Sequence, residues 1–170
     1  MMWNWMVSAL SCDAMLTLFE GSPAHPNLNI LWEVVEEEGV TVLGTSPKFI
    51  SSCMQYDAGP QKGSPTKLQT ILSTGAPLMP EHFDWVYKNC GDVHLASICG
   101  GTDILSCFML GVPTLPVRRG EIQYSGLGMA VASFDEDSNP SIANKGELVC
   151  TKPFPSMPLG FWNDDDEKKY

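Results

Sequence analysis

With 170 residues, 44% of them hydrophobic, the chain holds enough apolar material for one domain, or a domain and a half, around a buried core. Its net charge of −10, with no lysine or arginine before Lys48, excludes a cationic surface that would neutralise a nucleic-acid backbone or an anionic lipid. Such a protein binds an anion such as ATP only through a local device: backbone N–H groups, a few cations or a metal.

The chain opens on MMWNWMVSAL, which lacks a basic flank and is interrupted by Asn4, Ser8, Ser11 and Asp13 before it reaches bilayer-spanning length. It reads as neither a signal peptide nor a membrane helix. Trp3, Met6, Val7 and Leu10 recur at helical spacing, so the expectation is the middle of a buried helix in a truncated chain. Truncation would leave apolar surface such as Trp3 and Trp5 open to a protein partner. Ala14 to Phe19 reads as a strand. Leu28 to Glu38 reads as a helix with Leu28, Leu31, Val34 and Val35 on one face and Gly39 at its C-terminal end. Val40 to Leu43 is a short apolar strand, and Ser46-Pro47 is an N-cap and first-turn pair for a helix carrying Phe49, Ile50, Cys53 and Met54. Leu68 to Ser73 is another strand; it runs through Thr74-Gly75-Ala76-Pro77-Leu78 into a helix from Pro80 to Cys90 closed by Gly91.

The next strand, Val93 to Ile98, ends in Cys99-Gly100-Gly101-Thr102-Asp103. Glycines let backbone N–H groups approach an anion closely, and Thr102 and Asp103 are hard oxygen donors suited to a phosphate or its Mg²⁺. The plainer alternative is a Gly-Gly turn whose Thr and Asp cap a following helix. Strand and helix alternate up to here, which predicts an α/β fold, a parallel sheet flanked by helices. In such sheets ligands sit at the carboxyl ends of the strands, and both the Thr74 to Leu78 loop and the Cys99 to Asp103 loop leave strands in that direction.

After about Gly111 the texture becomes β-rich, with Met129 to Phe134 and Glu147 to Thr151 as strands joined through a turn at Asp135 to Pro140. Gly126-Leu127-Gly128 starts a GxGxxG, but Val131 stands at the third glycine and a strand follows, which rejects a Rossmann fingerprint. Asp164 to Lys169 reads as a solvated turn. The six cysteines form no CxxC pair and read as reduced core thiols of a cytosolic protein, with disulfides left open by their even count; His25, His82 and His94 lack metal-site spacing.

Several blocks in order now carry a resemblance: LSTGAPL at Leu72 to Leu78, ASICGGTDILSCF at Ala96 to Phe108, GLGMAV from Gly126, and KGELVCTKPFPSMPLGFWND from Lys145 to Asp164. Together with MMWNW they make the chain similar to the acyl-adenylate-forming enzymes, and within them to the acetoacetyl-CoA synthetase (acetoacetate–CoA ligase) branch. The resemblance implies part of the large N-terminal domain of such an enzyme, with residues 1–112 as its α/β portion and 113–170 as a smaller β-rich subdomain. It implies the substrates acetoacetate or a similar short acid, ATP with Mg²⁺, and coenzyme A, and a cytosolic setting. Gly75, Ala76 and Pro77 match the adenine-contacting loop. Gly100, Gly101 and Thr102 match the nucleotide loop, with the Thr102 hydroxyl directed at the α-phosphate. Asp103 matches the Mg²⁺-associated acid, and Cys99 stands where relatives often place an aromatic residue against adenine. The family's phosphate-wrapping loop and C-terminal domain match nothing in the sequence. The alternative expectation is therefore a noncatalytic interaction module or pseudoenzyme derived from the ligase, with at most weak nucleotide binding.

Overall fold

Local chemistry sets most helix ends in the computed structural model, which describes residues 2–61 and 67–170. The side chains of residues 2–5 lie outside the described residues, and with them the apolar surface expected at Trp3 and Trp5. Helix α1 is Met2–Leu10. The segment Ala14 to Phe19 is not the expected strand: it pairs with no strand among the described residues, and Met15 and Leu18 are 79% and 74% exposed. An apolar run becomes a strand only where a neighbour completes its ladder of hydrogen bonds.

Helix α2 spans Ile30–Glu37 and buries Trp32 and Val35. It ends as its glycine predicts: Gly39 takes φ 62°, its N–H reaches Glu36 O, and Val40 N–H reaches Val35 O at 2.9 Å, the paired bonds of a Schellman motif. That motif consumes Val40, so strand β1 begins two residues later than expected, at Val42–Thr45. Ser46 then caps helix α3, Pro47–Tyr56, accepting from Phe49 N–H at 3.3 Å, with Pro47 in the first turn where its missing N–H costs nothing. Strand β2 is Thr70–Ser73, helix α4 is Pro80–Cys90 as expected, and strand β3 is His94–Ser97.

Strands β1, β2 and β3 pair in parallel in that order, with Thr45, Ser73 and Ser97 level at their carboxyl ends. One face of this sheet sends Ile71 and Leu95, each 1% exposed, into a core with Trp32, Phe49, Ile50 and Phe83. Burying each such side chain is worth about 1.5–3 kcal/mol, so this layer anchors the carboxyl rim above it. The opposite face meets the second half of the chain, where Gly111 lies so close to Ala96 that a Cβ there would come within 2.4 Å of the Ala96 Cβ. Gln123 locks that junction: its Oε1 accepts from Val112 N–H and from His94 Nε2, both at 2.8 Å, while its Nε2 donates to Val112 O and Leu115 O.

From Cys99 onward the pairing is antiparallel. Strands β4 (Cys99–Gly101), β5 (Ser106–Leu110) and β6 (Tyr124–Ser125) form one small sheet, and β7 (Val131–Phe134) with β8 (Glu147–Cys150) another. The expected strands near Met129 to Phe134 and Glu147 to Thr151 are thus present as a hairpin, whose Asp135 carboxylate accepts from the N–H groups of Asp137 and Asn139. The C-terminal acidic run is not uniformly solvated. Asp164 is 8% exposed, and its carboxylate accepts from Lys168, Lys169 and Tyr170 N–H groups, because a buried carboxylate must be saturated with donors.

Candidate functional site

The two loops singled out in the sequence leave neighbouring strands on one rim. Ile98 N–H donates to Ser73 O at 2.9 Å, and the Thr74 hydroxyl donates to Ile98 O at 3.1 Å, so the start of one loop is stapled to the start of the other. In the first loop Gly75, Ala76 and Pro77 are exposed while Leu78 is buried beneath them. Gly75 has φ 96° with no atom within 4 Å of where a Cβ would stand, a conformation L side chains rarely adopt. The loop is thus open to an approaching ligand at Gly75, where no side chain projects.

The second loop is the tip of the β4–β5 hairpin. No helix follows it, so Thr102 and Asp103 cap nothing; they sit in a tight turn where Leu105 N–H donates to Thr102 O at 3.2 Å. The glycines differ in role. A Cβ on Gly100 would come 2.5 Å from Ser106 O, whereas one on Gly101 would meet only Ile104 Cγ1 at 3.8 Å. Gly100 is therefore required by the strand crossing, and Gly101 leaves space on its outer side. Ile104 is 9% exposed and pins the tip, while Thr102 and Asp103 project outward. Leu105 adopts φ 49°, a left-handed conformation costing roughly 1–2 kcal/mol for a non-glycine residue. The donor set suits a magnesium ion carried on a nucleotide: one carboxylate and one hydroxyl match a cation that takes a carboxylate or two plus phosphate oxygens, rather than an all-protein cage.

One support was not evident in the sequence. His82, 6% exposed, accepts from Met79 N–H through Nδ1 at 3.0 Å, so its Nε2 carries the proton and donates to Ser51 Oγ at 2.8 Å. This ties the exit of the first loop to α3. A histidine in the first turn after Pro80 was the available signal. Ser73, fully buried at the end of β2, has a hydroxyl with no hydrogen-bond partner among the described residues. Cys53, Cys90 and Cys107 are buried thiols raised by desolvation, Cys90 to about 12, which leaves none of them a thiolate nucleophile near neutral pH.

A cavity of about 330 Å³ opens beside the stapled loops. Its walls come from the carboxyl ends of the parallel strands, Gly44 and Thr45 on β1, Leu72 and Thr74 at β2, with Ile98 and Cys107 across from them. Leu31 and Phe49 close it from the helices.

Comparison with known proteins decides the family. A family profile described as AMP-binding enzyme matches residues 1–162. The chain belongs to the AMP-binding enzyme family. Over its whole length it is 49% identical to the acetoacetyl-coenzyme A synthetase of Rhizobium meliloti and 48% identical to that of Mus musculus, and it spans 26% of the length of each. The solved acetoacetyl-CoA synthetase from Streptomyces lividans superposes on 99% of the chain with a TM-score of 0.89 at 40% identity, the chain covering 27% of that structure. The α/β arrangement with its antiparallel second half is thus the large-domain arrangement of this family. No helix among the described residues is long and apolar enough to cross a membrane.

Proposed function

We propose that this chain is the acid- and nucleotide-binding part of an acid–CoA ligase that activates acetoacetate with ATP and passes the acyl group to coenzyme A in the cytosol. The observation that supports this reading is the Thr74–Ile98 hydrogen bond, which holds the two loops side by side at the carboxyl edge of a parallel sheet, where family members bind nucleotide. Residues 1–112 serve as the α/β portion of the AMP-binding domain and 113–170 as its β-rich subdomain, with the antiparallel β4–β5–β6 sheet spanning the junction.

In this reading the Gly75-Ala76-Pro77 backbone lies against the adenine, and Gly101 admits the phosphates to the hairpin tip. The Thr102 hydroxyl donates to an α-phosphate oxygen. Asp103 would hold Mg²⁺, which when bound neutralises charge across the phosphate oxygens. The acid's carboxylate attacks the α-phosphorus and pyrophosphate leaves; the CoA thiol then attacks the acyl carbon, losing its proton, and AMP leaves. The chain's residues bind and orient, and stabilise charge that grows on the α-phosphate in the transition state. No protein nucleophile is needed.

The test is acetoacetate-dependent exchange of labelled pyrophosphate into ATP, run on the chain and on any longer natural polypeptide containing it. Thr102→Ala lowers exchange at least about tenfold, because a charge-assisted hydrogen bond is worth roughly 1.5–3 kcal/mol. Exchange that survives the substitution unchanged removes Thr102 from the site.

A further inference from the structure

The loop that carries Gly75, Ala76 and Pro77 is tied at its two ends. At its entrance the Thr74 hydroxyl donates to Ile98 O at 3.1 Å, and at its exit the Met79 N–H donates to His82 Nδ1 at 3.0 Å. Between these ties Gly75, Ala76 and Pro77 are exposed and Leu78 is buried. The exit tie is chemically unusual. Met79 is the N-cap of α4 and His82 its third helical residue, the position from which a Glu or Gln ordinarily reaches back to the N-cap N–H. An imidazole can do this only while neutral, because only then does Nδ1 have a lone pair to offer.

His82 is buried, and both of its ring nitrogens are engaged by uncharged partners, the Met79 N–H and the Ser51 hydroxyl. A serine and a histidine 2.8 Å apart resemble a hydrolytic pair, but Nε2 carries the proton here and so cannot take one from Ser51. The charged side chains on the adjoining turns are Glu81 and Asp84 on α4, Lys48 on α3 and, in the segment whose Gly120 packs on Pro80, Arg118, Arg119 and Glu121. All are exposed, Arg119 is bound to Asp84, and none is a hydrogen-bond partner of the ring among the described residues. A proton added to the ring would go to Nδ1 and face the Met79 N–H, donor against donor. The exit tie breaks while the entrance tie, between a hydroxyl and a carbonyl, is untouched. We infer that His82 is a positioning residue that holds the loop from Gly75 to Leu78 in its ligand-binding form while the imidazole is neutral and releases it on protonation. The inference rests on the ligase reading, which sets adenine against this loop.

The experiment follows the ¹⁵N-labelled chain as wild type, His82→Gln and His82→Ala between about pH 8 and about pH 5, the range in which histidines change charge. The probe is adenosine, which is uncharged throughout. In the wild type the Gly75, Ala76 and Met79 amide resonances move on acidification with one midpoint, shared with the His82 ring, and the Kd for adenosine rises about fivefold, the ratio to which loss of one helix cap corresponds. His82→Gln keeps an acceptor for the Met79 N–H at every pH, so its loop resonances and its Kd stay flat, close to the wild-type values at the alkaline end. His82→Ala binds adenosine weakly at both ends of the range; should it fail to fold, the wild-type and His82→Gln profiles decide by themselves. The inference is overturned if the three amides do not move with the ring in the wild type, or if His82→Gln shows the same acid transition. Adenosine binding of the wild type that is equal at both ends of the range defeats this inference alone. Loop resonances that follow the His82 ring, with no adenosine response at any pH, defeat the ligase reading and leave the proton-sensitive loop standing.

Discussion

Replacing Gly100 with alanine places a methyl group 2.5 Å from Ser106 O and 3.0 Å from the Cys107 Cα, both backbone atoms of the facing strand. Neither can swing aside as a flexible side chain would, so β4 and β5 must separate locally. Overpacking of this kind costs about 1–3 kcal/mol. For a chain of this size each kcal/mol lowers the unfolding midpoint by roughly 2–4 °C, so a central value of about 2 kcal/mol corresponds to roughly 4–8 °C. The neighbouring Gly101→Ala is the control. Its methyl meets only the Ile104 side chain at an ordinary 3.8 Å, and alanine in place of glycine in a strand gains about 0.5–1 kcal/mol, so its midpoint stays level or rises. Thermal and urea unfolding followed by far-ultraviolet circular dichroism reads both variants under identical conditions. Equal effects at the two positions, or an undisturbed Gly100→Ala, would refute the assignment of Gly100 to hairpin sterics and of Gly101 to ligand access.

Ser73→Ala removes a fully buried hydroxyl with no partner among the described residues and should stabilise the chain by about 1 kcal/mol in urea unfolding; a loss of stability would mean the hydroxyl is satisfied. The Arg119 hydrogen bond holds the Asp84 carboxyl below the usual carboxylate range, so this pair contributes above the unfolded carboxylate pKa and its contribution is lost as pH falls through the depressed folded value. Asp84→Asn should therefore flatten the acid limb of a stability–pH curve, more visibly at low salt because the pair is exposed; identical limbs would contradict the pairing. Iodoacetamide at pH 8 should modify exposed Cys12 well before buried Cys53, Cys90 and Cys107, read by peptide mass spectrometry, and labelling of Cys90 as fast as Cys12 would contradict the packing.

The legible parts of this fold are those whose cause is local. Ser46-Pro47 starts α3 and Pro80 with Gly91 bounds α4 because caps act within a few residues, and both helices fall where the sequence predicts them. Ala14 to Phe19 fails for the opposite reason: its apolar alternation is satisfied by a strand only if a partner lies beside it. From the sequence, Cys99-Gly100-Gly101-Thr102-Asp103 reads as an anion-holding loop or as a Gly-Gly turn capping a following helix; its place at a hairpin tip comes from Ser106–Leu110 folding back onto Cys99–Gly101, a pairing no local pattern carries. Asp164 escapes in a run of like charges, since only the folded chain brings three N–H groups to its carboxylate. The rim itself was legible, because alternating strands and helices imply parallel pairing and parallel pairing sends both loops the same way. The cavity was not; it needs Gly44, Leu72 and Cys107, from three separate strands, at once.

The account depends on the loops at Gly75 and Thr102 acting as two walls of one nucleotide site. The most direct measurement is an amide-resolved titration of the chain with Mg·ATP, fitted residue by residue. The account predicts that Gly75, Ala76, Gly101 and Thr102 shift together along curves with one shared Kd. Movement in one loop with the other silent, or separate dissociation constants for the two, would contradict it.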